Sequence, residues 1–265
     1  MFEFHKDKAR YFEYQYLTSK NYLIPFIEKD KRLDTNSKIL EIGCGEAGVL
    51  KAFYERGMHC TGIELSPSRI KHAEAFFKDL PLTGKYEFLV RNIFDIDTDK
   101  DLNHKFDVII LKDVIEHLPE KDKFLSHLKH FLAPGGLVFF GFPPWHMPYG
   151  GHQQITSHRL TKLPFIHLLP RSLYRGLLNV TKQKDHTVTE LLELKDTGLS
   201  IGDFERLAKK HNYKVVRKKH FLINPIYQHK FGLKVREQWS VISGIPFFRN
   251  FITSCAYYTI GDNDH

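Results

Sequence analysis

The stretch that most constrains this chain is Lys38-Ile39-Leu40-Glu41-Ile42-Gly43-Cys44-Gly45-Glu46-Ala47-Gly48-Val49-Leu50, where a short apolar strand runs straight into a glycine-rich turn and then a helix. Gly43 and Gly45 permit a sharp turn and let a ligand lie against bare backbone, and Gly48 is expected to let the helix pack closely on the strand. A lone Gly-x-Gly-x-x-Gly is a weak signal. Its weight comes from His59-Cys60-Thr61-Gly62-Ile63-Glu64, which reads as a second strand ending in a carboxylate 19 residues after Gly45. Such a carboxylate can accept both hydroxyls of a ribose. The two stretches together read as a βαβ unit for a nucleotide-like cofactor, against the plain alternative of a tight turn with no ligand.

Two families share this βαβ logic, the dinucleotide oxidoreductases and the class I S-adenosylmethionine methyltransferases, and the neighbours of the glycines separate them. Glu41 places an acid two residues before Gly43, where a dehydrogenase more often carries a small or apolar residue. The later segments follow in order: Tyr86-Glu87-Phe88-Leu89-Val90-Arg91-Asn92-Ile93-Phe94-Asp95, then Phe106-Asp107-Val108-Ile109-Ile110-Leu111-Lys112-Asp113-Val114-Ile115-Glu116-His117-Leu118, then Leu132-Ala133-Pro134-Gly135-Gly136-Leu137-Val138-Phe139-Phe140. As a set, residues 35 to 142 resemble the motif series of the class I methyltransferases. The resemblance implies a Rossmann-like, doubly wound, seven-stranded and mostly parallel sheet whose last strand is antiparallel, with S-adenosylmethionine as cofactor. It also implies roles. Glu41 sits near the amino-acid end of the cofactor, Gly43, Cys44, Gly45 and Gly48 form its loop, Glu64 holds the ribose, and Leu65 flanks the adenine. Asn92 with Ile93 meets the adenine edge, and Lys112 completes the cofactor-binding set. The family usually has Asp where this chain has Asn92, whose amide oxygen can still accept from the adenine amino group.

Strand and helix alternate through this core, with strands near 38–42, 59–64, 86–91, 106–111 and 136–142 and helices near 47–56, 67–79 and 119–132, the pattern of a parallel α/β sheet. Pro67 after Ser66 is a helix start, and Ala133-Pro134-Gly135-Gly136 is a stop. Before the core, residues 1–34 read as an N-terminal helical cap with Phe4, Tyr11, Phe12, Tyr14, Tyr16, Tyr22 and Phe26 in helical rhythm, ended by Pro25; packing is the commoner cause of such a stripe. Residues 35–265 form the main domain. Beyond Gly141 the beat breaks: 143–195 is rich in proline and histidine and reads as an insertion at the carboxyl edge of the sheet, where substrates bind. A helix near 200–211 and strands near 213–222 and 254–260 complete the sheet, with 224–250 as a further excursion.

The segment Asp113-Val114-Ile115-Glu116-His117 follows the fourth strand directly. As a helical turn, its i, i+3 and i+4 positions put Asp113, Glu116 and His117 on one face, a ligand set suited to Mg, Mn, Fe or Zn. The segment resembles the Glu-x-x-Glu-His stretch of the ubiquinone-pathway O-methyltransferases and of the small-RNA 3′-terminal 2′-O-methyltransferases. That resemblance implies a metal engaging vicinal hydroxyls, with Glu116 and His117 catalytic and Asp113 a shorter arm than the usual Glu. The RNA enzymes add a histidine from beyond the fifth strand. His152 is the match here, as fourth ligand or as a metal-free general base, with His146 and His158 behind it. Alternatively the Glu-His pair merely packs against the cofactor or starts the next helix.

Composition narrows the partners. The 265 residues are 42% hydrophobic, with no run of eighteen apolar residues, and the N-terminus lacks the apolar core of a signal peptide, so the expected location is cytoplasmic. Cys44, Cys60 and Cys255 are widely spaced and suggest reduced thiols. The formal charge is +8, and from Glu205 to Arg236 ten Lys or Arg accompany one acid, a surface for an anionic partner or simply a solvated face. The basic-apolar run 163–178 admits contact with a membrane surface or ordinary helix packing. The leading expectation is O-methylation of a small or lipid-like hydroxylated molecule, aromatic ones included. Metal-dependent RNA 2′-O-methylation is the second, a non-catalytic cofactor-binding regulatory protein the third, and a dehydrogenase the remote fourth. The methyl acceptor and the oligomeric state are not legible.

Overall fold

A computed structural model describes residues 7–263, so Phe4 and the start of the expected cap lie outside the described residues. Strands β1 (Lys38–Ile42), β2 (His59–Glu64), β3 (Lys85–Val90), β4 (Phe106–Lys112), β5 (Leu132–Phe142), β6 (Tyr213–Ile223), β7 (Arg236–Glu237) and β8 (Cys255–Asp262) form one sheet in the order β3-β2-β1-β4-β5-β8-β6-β7. The first five run parallel, and β8 lies antiparallel between β5 and β6. The two-residue β7 extends the edge by one strand beyond the seven expected, because the 224–250 excursion turns back to pair Glu237 with Phe221.

β1 and β4 are near-continuous apolar runs because helices cover both faces of a parallel sheet. On one face the core gathers α1 (Lys8–Thr18), α2 (Gly48–Tyr54) and α3 (Pro67–Lys78) around Phe12, Leu50, Phe53 and Phe77. On the other, α4 (Lys121–Leu128) packs around Phe124, Leu125 and Leu128. Because β1, β2 and β4 are parallel, their carboxyl ends at Ile42, Glu64 and Lys112 share one edge.

One expectation about the N-terminal segment is corrected, and α1 gives Gly48 an added neighbour. Pro25 does not end the helix: after α1 the chain widens into a π-helical turn over Ser19–Leu23 and continues as a helical turn over Ile24–Ile27. A wider turn before a proline moves carbonyls off its ring, so the chain bends instead of stopping. The nearest neighbours of Gly48 lie on α1, where a Cβ would stand 2.5 Å from the Phe12 carbonyl oxygen and 2.8 Å from Gln15 Cβ. Ion pairs Lys8–Glu46 (2.6 Å) and Lys51–Glu13 (3.2 Å), with a Tyr16 hydroxyl donating to Glu55 (2.6 Å), fix α1 along α2. The expected helix 119–132 is shorter, α4 giving way to a 3-10 turn at Lys129–Phe131 before β5.

After β5 the chain leaves the sheet through short 3-10 turns, then α5 (Arg171–Val180) and α6 (Asp185–Thr197), before α7 (Ile201–Lys210) covers the sheet again, packing Ile201 and Phe204 beside α4. Tyr174, Leu178, Leu191 and Leu192 give this excursion a small core of its own. Its start and end are stitched together: Trp145 N–H donates to the Leu199 carbonyl (2.9 Å), and Gly198 lies so close to the Trp145 ring that a Cβ would be 2.4 Å away. The α6 helix rests against the 115–117 turn. All three cysteines are buried and unpaired. Among the described residues no helix is long and apolar enough to cross a membrane.

Candidate active site

The glycine turn is pinned to the end of β2. Gly43 and Cys44 N–H groups donate to the Ile63 carbonyl (2.7 and 3.1 Å), and Gly45 N–H donates to Glu64 Oε2 (3.0 Å). Gly43 has φ +70°, and a Cβ there would stand 2.7 Å from Val114, so only glycine fits between the turn and the β4 edge. Ser66 N–H donates to the other Glu64 oxygen (3.0 Å). The carboxylate is therefore held rigid between the turn and the start of α3, each oxygen keeping a lone pair for a diol. Next to it Leu65 is 69% exposed, an apolar surface at the strand end that a ring can cover.

Glu41 lies beneath this turn, fully enclosed, with one carboxylate oxygen lacking any partner. Burial drives its pKa well up, against the pull of Lys112. Cys44 contributes its backbone to the turn while its thiol is buried in the core. Asn92 caps the short turn Ile93–Asp95, its Oδ1 accepting from Phe94 N–H (3.1 Å), and Ile93 is buried beneath. A glycine cradle, a fixed diol acceptor, an exposed apolar shelf and an orphaned buried carboxylate oxygen fit a nucleoside carrying an amino-acid arm.

The acid-histidine segment differs from an α-turn. Asp113 takes φ +57° with its N–H donating to the Gly141 carbonyl (2.7 Å), and only Ile115–His117 is helical, as a 3-10 turn. That backbone folds the Asp113 carboxylate back onto the buried Lys112 ammonium. The expected Asp113–Glu116–His117 face is thus split by the left-handed residue. Instead Glu116, His117 and His152 come together, a ligand atom from each lying within 4.8 Å of the others, with the two imidazoles 5.3 Å apart. His152 arrives from the 148–153 turn, itself fastened by Phe165 N–H to the Pro148 carbonyl (2.8 Å) and by Gln153 Nε2 to the same oxygen (2.8 Å). His146 packs instead against Phe247 and Phe251, and His158 accepts a hydrogen bond from Leu160 N–H.

Glu116 is only 3% exposed, and both its carboxylate oxygens are without partners. Burial, reinforced by the Asp113 charge, pushes it up to about 8. Desolvation holds His117 below the ordinary histidine range, favouring the neutral, ligating imidazole. Burial alone would raise Asp113, but Lys112 outweighs it and keeps that carboxylate ionised. One carboxylate and two imidazoles could hold a divalent cation, and with Asp113 turned away the set suits Mn, Fe or Zn better than the oxygen-seeking Mg.

Three further side chains reach this edge, Tyr11 from the aromatic stripe of the N-terminal segment and Tyr227 and Lys230 without any motif to announce them. Tyr11 of α1 lies among Lys112, Asp113, Glu46 and Arg69. From α8 (Ile226–Phe231), Lys230 sits over the Tyr11 ring at 4.9 Å and Tyr227, pushed up to about 12 by burial, faces Asp113 and Lys112.

A family model described as a methyltransferase domain matches residues 10–166. The chain is 27% identical over 111 residues to the ubiquinone biosynthesis O-methyltransferase of Pasteurella multocida, covering 40% of this chain and 46% of that one. It is 31% identical over 112 residues to the chloroplastic tocopherol O-methyltransferase of Arabidopsis thaliana, covering 42% and 30%. The match thus spans less than half the length of either relative. The fold is shared with the crystal structure of an S-adenosylmethionine-dependent methyltransferase from Clostridium acetobutylicum, with TM-score 0.57, 12% identity, and coverage of 93% of this chain and 92% of that one.

Proposed function

The chain belongs to the methyltransferase-domain family, and from that premise we propose that it transfers the methyl group of S-adenosylmethionine to a hydroxyl oxygen of a small or lipid-like acceptor. The observation that carries this reading is the convergence of Glu116, His117 and His152 at the strand edge that also bears the glycine turn and Glu64. The relatives named for ubiquinone biosynthesis and for tocopherol support an oxygen nucleophile on a lipid-like molecule.

Glu64 and the Gly43–Gly45 turn bind and orient the cofactor, with Leu65 and Ile93 flanking its base. The acceptor enters from the insertion side, between the 148–153 turn and α8. Its hydroxyl oxygen attacks the methyl carbon in line; the carbon–sulfur bond breaks and its electron pair stays on sulfur, leaving a neutral thioether. His152 takes the hydroxyl proton. A divalent cation held by Glu116, His117 and His152 would supply Lewis acidity, lowering the pKa of a vicinal hydroxyl, and His152 would then be a ligand and not the base. Asp113 acts on this site through charge, keeping Lys112 paired and Glu116 hard to ionise.

The insertion supports a membrane-surface contact. From Pro143 to Lys184 it carries six Lys or Arg and no Asp or Glu, and it exposes Leu163, Leu173 and Val180. Such a surface can rest on anionic lipid while an acceptor leaves the bilayer. Three buried, unpaired thiols accord with a reducing, cytoplasmic setting.

The test is transfer of a labelled methyl group to a prenylated catechol and to its mono-O-methyl ether, with and without chelator. Transfer abolished in His152→Ala supports the site. Chelator-sensitive transfer confined to the catechol assigns a metal, and chelator-resistant transfer to both assigns His152 as base. Undiminished transfer in His152→Ala refutes the site.

A further inference from the structure

The second excursion turns large apolar side chains outward. Between β7 and β8 the chain forms a short helix α9 (Ser240–Ser243), a turn through Pro246, and α10 (Arg249–Ile252). Trp239 is 73% exposed and Val241 76%, and Ile245, Phe247 and Phe248 are exposed with them. The base of this loop is nevertheless firmly built. The Thr253 hydroxyl donates to Gln238 Oε1 (2.7 Å), Gln238 N–H donates to the His220 carbonyl (2.9 Å), and Asn250 Oδ1 accepts from Ile201 N–H (2.7 Å). Arg249 is paired with Glu205, and Ser243 Oγ lies 2.6 Å from His220 Nδ1. The apolar tip is therefore held out by the fold, and exposed clusters of this size and composition mark interaction sites.

Two observations say what covers it. First, the tip continues into the apolar side of the insertion. His146 packs on Phe247 (5.2 Å) and Phe251 (5.5 Å), and Phe251 packs on Phe165 (6.2 Å), which is exposed like its neighbour Leu163. Second, the charge along both stretches has one sign. Neither 143–184 nor 238–261 contains an Asp or Glu. Lys234 and Arg236 stand exposed at the foot of the loop, and Glu237 beside them is paired with Lys219. An exposed tip of tryptophan, phenylalanine and branched aliphatics, fringed by cations, complements an anionic bilayer: headgroups take the cations and the acyl boundary takes the tip. We propose that residues 239–248 are a membrane anchor that sets Trp239, Val241, Ile245, Phe247 and Phe248 into that boundary. The proposal rests on the membrane-surface reading above and deepens it, moving the penetrating part from the insertion to the second excursion and leaving the insertion's basic residues on the headgroups. Because Phe247 and Phe251 pack on His146, in the segment that leads to the 148–153 turn, the anchor puts the lipid boundary beside the entrance for the acceptor.

Trp239 is its own reporter, since the only other tryptophan, Trp145, packs against Gly198 and His167. With phosphatidylglycerol vesicles its fluorescence should shift to the blue and be quenched by lipids brominated on their acyl chains. Trp239→Phe should lose that response and still sediment with the vesicles. A variant carrying Val241→Ser and Phe248→Ser, both at exposed positions, should keep the wild-type unfolding temperature and bind vesicles at least about tenfold more weakly, as befits two apolar side chains no longer buried in lipid. Sedimentation without any change in Trp239 emission, or undiminished in the Val241→Ser, Phe248→Ser variant, overturns the anchor and leaves the surface contact of the insertion standing. No sedimentation with these vesicles overturns both. Blue-shifted Trp239 emission in the absence of lipid, from a protein that runs as a dimer in analytical ultracentrifugation, assigns the loop to a second copy of this chain and likewise overturns the anchor.

Discussion

Replacing Glu116 by Gln should stabilise the metal-free protein, and by an amount that grows with pH. The carboxyl ionises near 4.5 in the open chain and near 8 in the fold, where burial and the Asp113 charge oppose ionisation. A group with a raised folded pKa contributes stability that is complete below the lower value and is lost as pH rises through the upper one. In the wild type this loss accumulates at about 1.4 kcal/mol per pH unit, up to about 5 kcal/mol by pH 8. Solvent relaxation around the carboxylate would reduce that ceiling, so about half of it is the magnitude to expect. Glutamine has the same shape and no charge to lose. Urea unfolding in EDTA at pH 5, 6, 7 and 8 should therefore show the two proteins close together at pH 5 and the variant ahead by about 2 to 3 kcal/mol at pH 8. A saturating divalent metal should reverse the order, since only the wild type offers the carboxylate. Parallel pH profiles for the two proteins would refute the claim that Glu116 is held in an uncompensated, desolvated site.

Other perturbations bear on separate parts of the account. Metal binding at the Glu116–His117–His152 cluster must displace the Glu116 proton, so apparent Mn or Zn affinity should rise about tenfold per pH unit toward pH 8 and flatten above it, as equilibrium dialysis can measure. Gly48→Ala should cost about 1 to 3 kcal/mol by forcing α1 away from the Phe12 carbonyl contact, seen as a lowered urea midpoint, while Gly176→Ala, which meets nothing within 4 Å, should not. Vesicles containing anionic phosphatidylglycerol should sediment the protein and neutral phosphatidylcholine should not, with binding weakened in an Arg175→Glu, Lys182→Glu variant; equal partition to both lipids would remove the membrane-surface proposal.

Much of the fold was legible because buried parallel strands write themselves as apolar runs, and each ends in a turn of marked composition. β4 and the Gly43–Gly48 turn are of this kind. What escaped depended on contacts between distant segments. The close approach of α1 to Gly48 has no mark in the glycine motif itself. Pro25 looks like a terminator unless the preceding turn widens. Spacing alone gave Asp113, Glu116 and His117 one helical face, but Asp113 adopts a left-handed backbone because its N–H reaches Gly141 and its carboxylate has Lys112 beside it. The proximity of His152 to Glu116 required the 148–153 turn to be tied down by Pro148, a contact made by Phe165 and Gln153. Lys230 had no motif at all; the sequence placed it only in a basic stretch, and the return of α8 over Tyr11 gives it a specific neighbour.

The central claim is that the glycine turn and Glu64 hold the nucleoside of S-adenosylmethionine. Titration calorimetry with S-adenosylhomocysteine and with NAD on the wild type and on Glu64→Ala addresses it most directly. The account predicts one S-adenosylhomocysteine bound per chain, no NAD binding, and an affinity for S-adenosylhomocysteine at least about tenfold weaker once the ribose hydroxyls lose their carboxylate. Binding of NAD in preference, or S-adenosylhomocysteine affinity indifferent to Glu64→Ala, would contradict it.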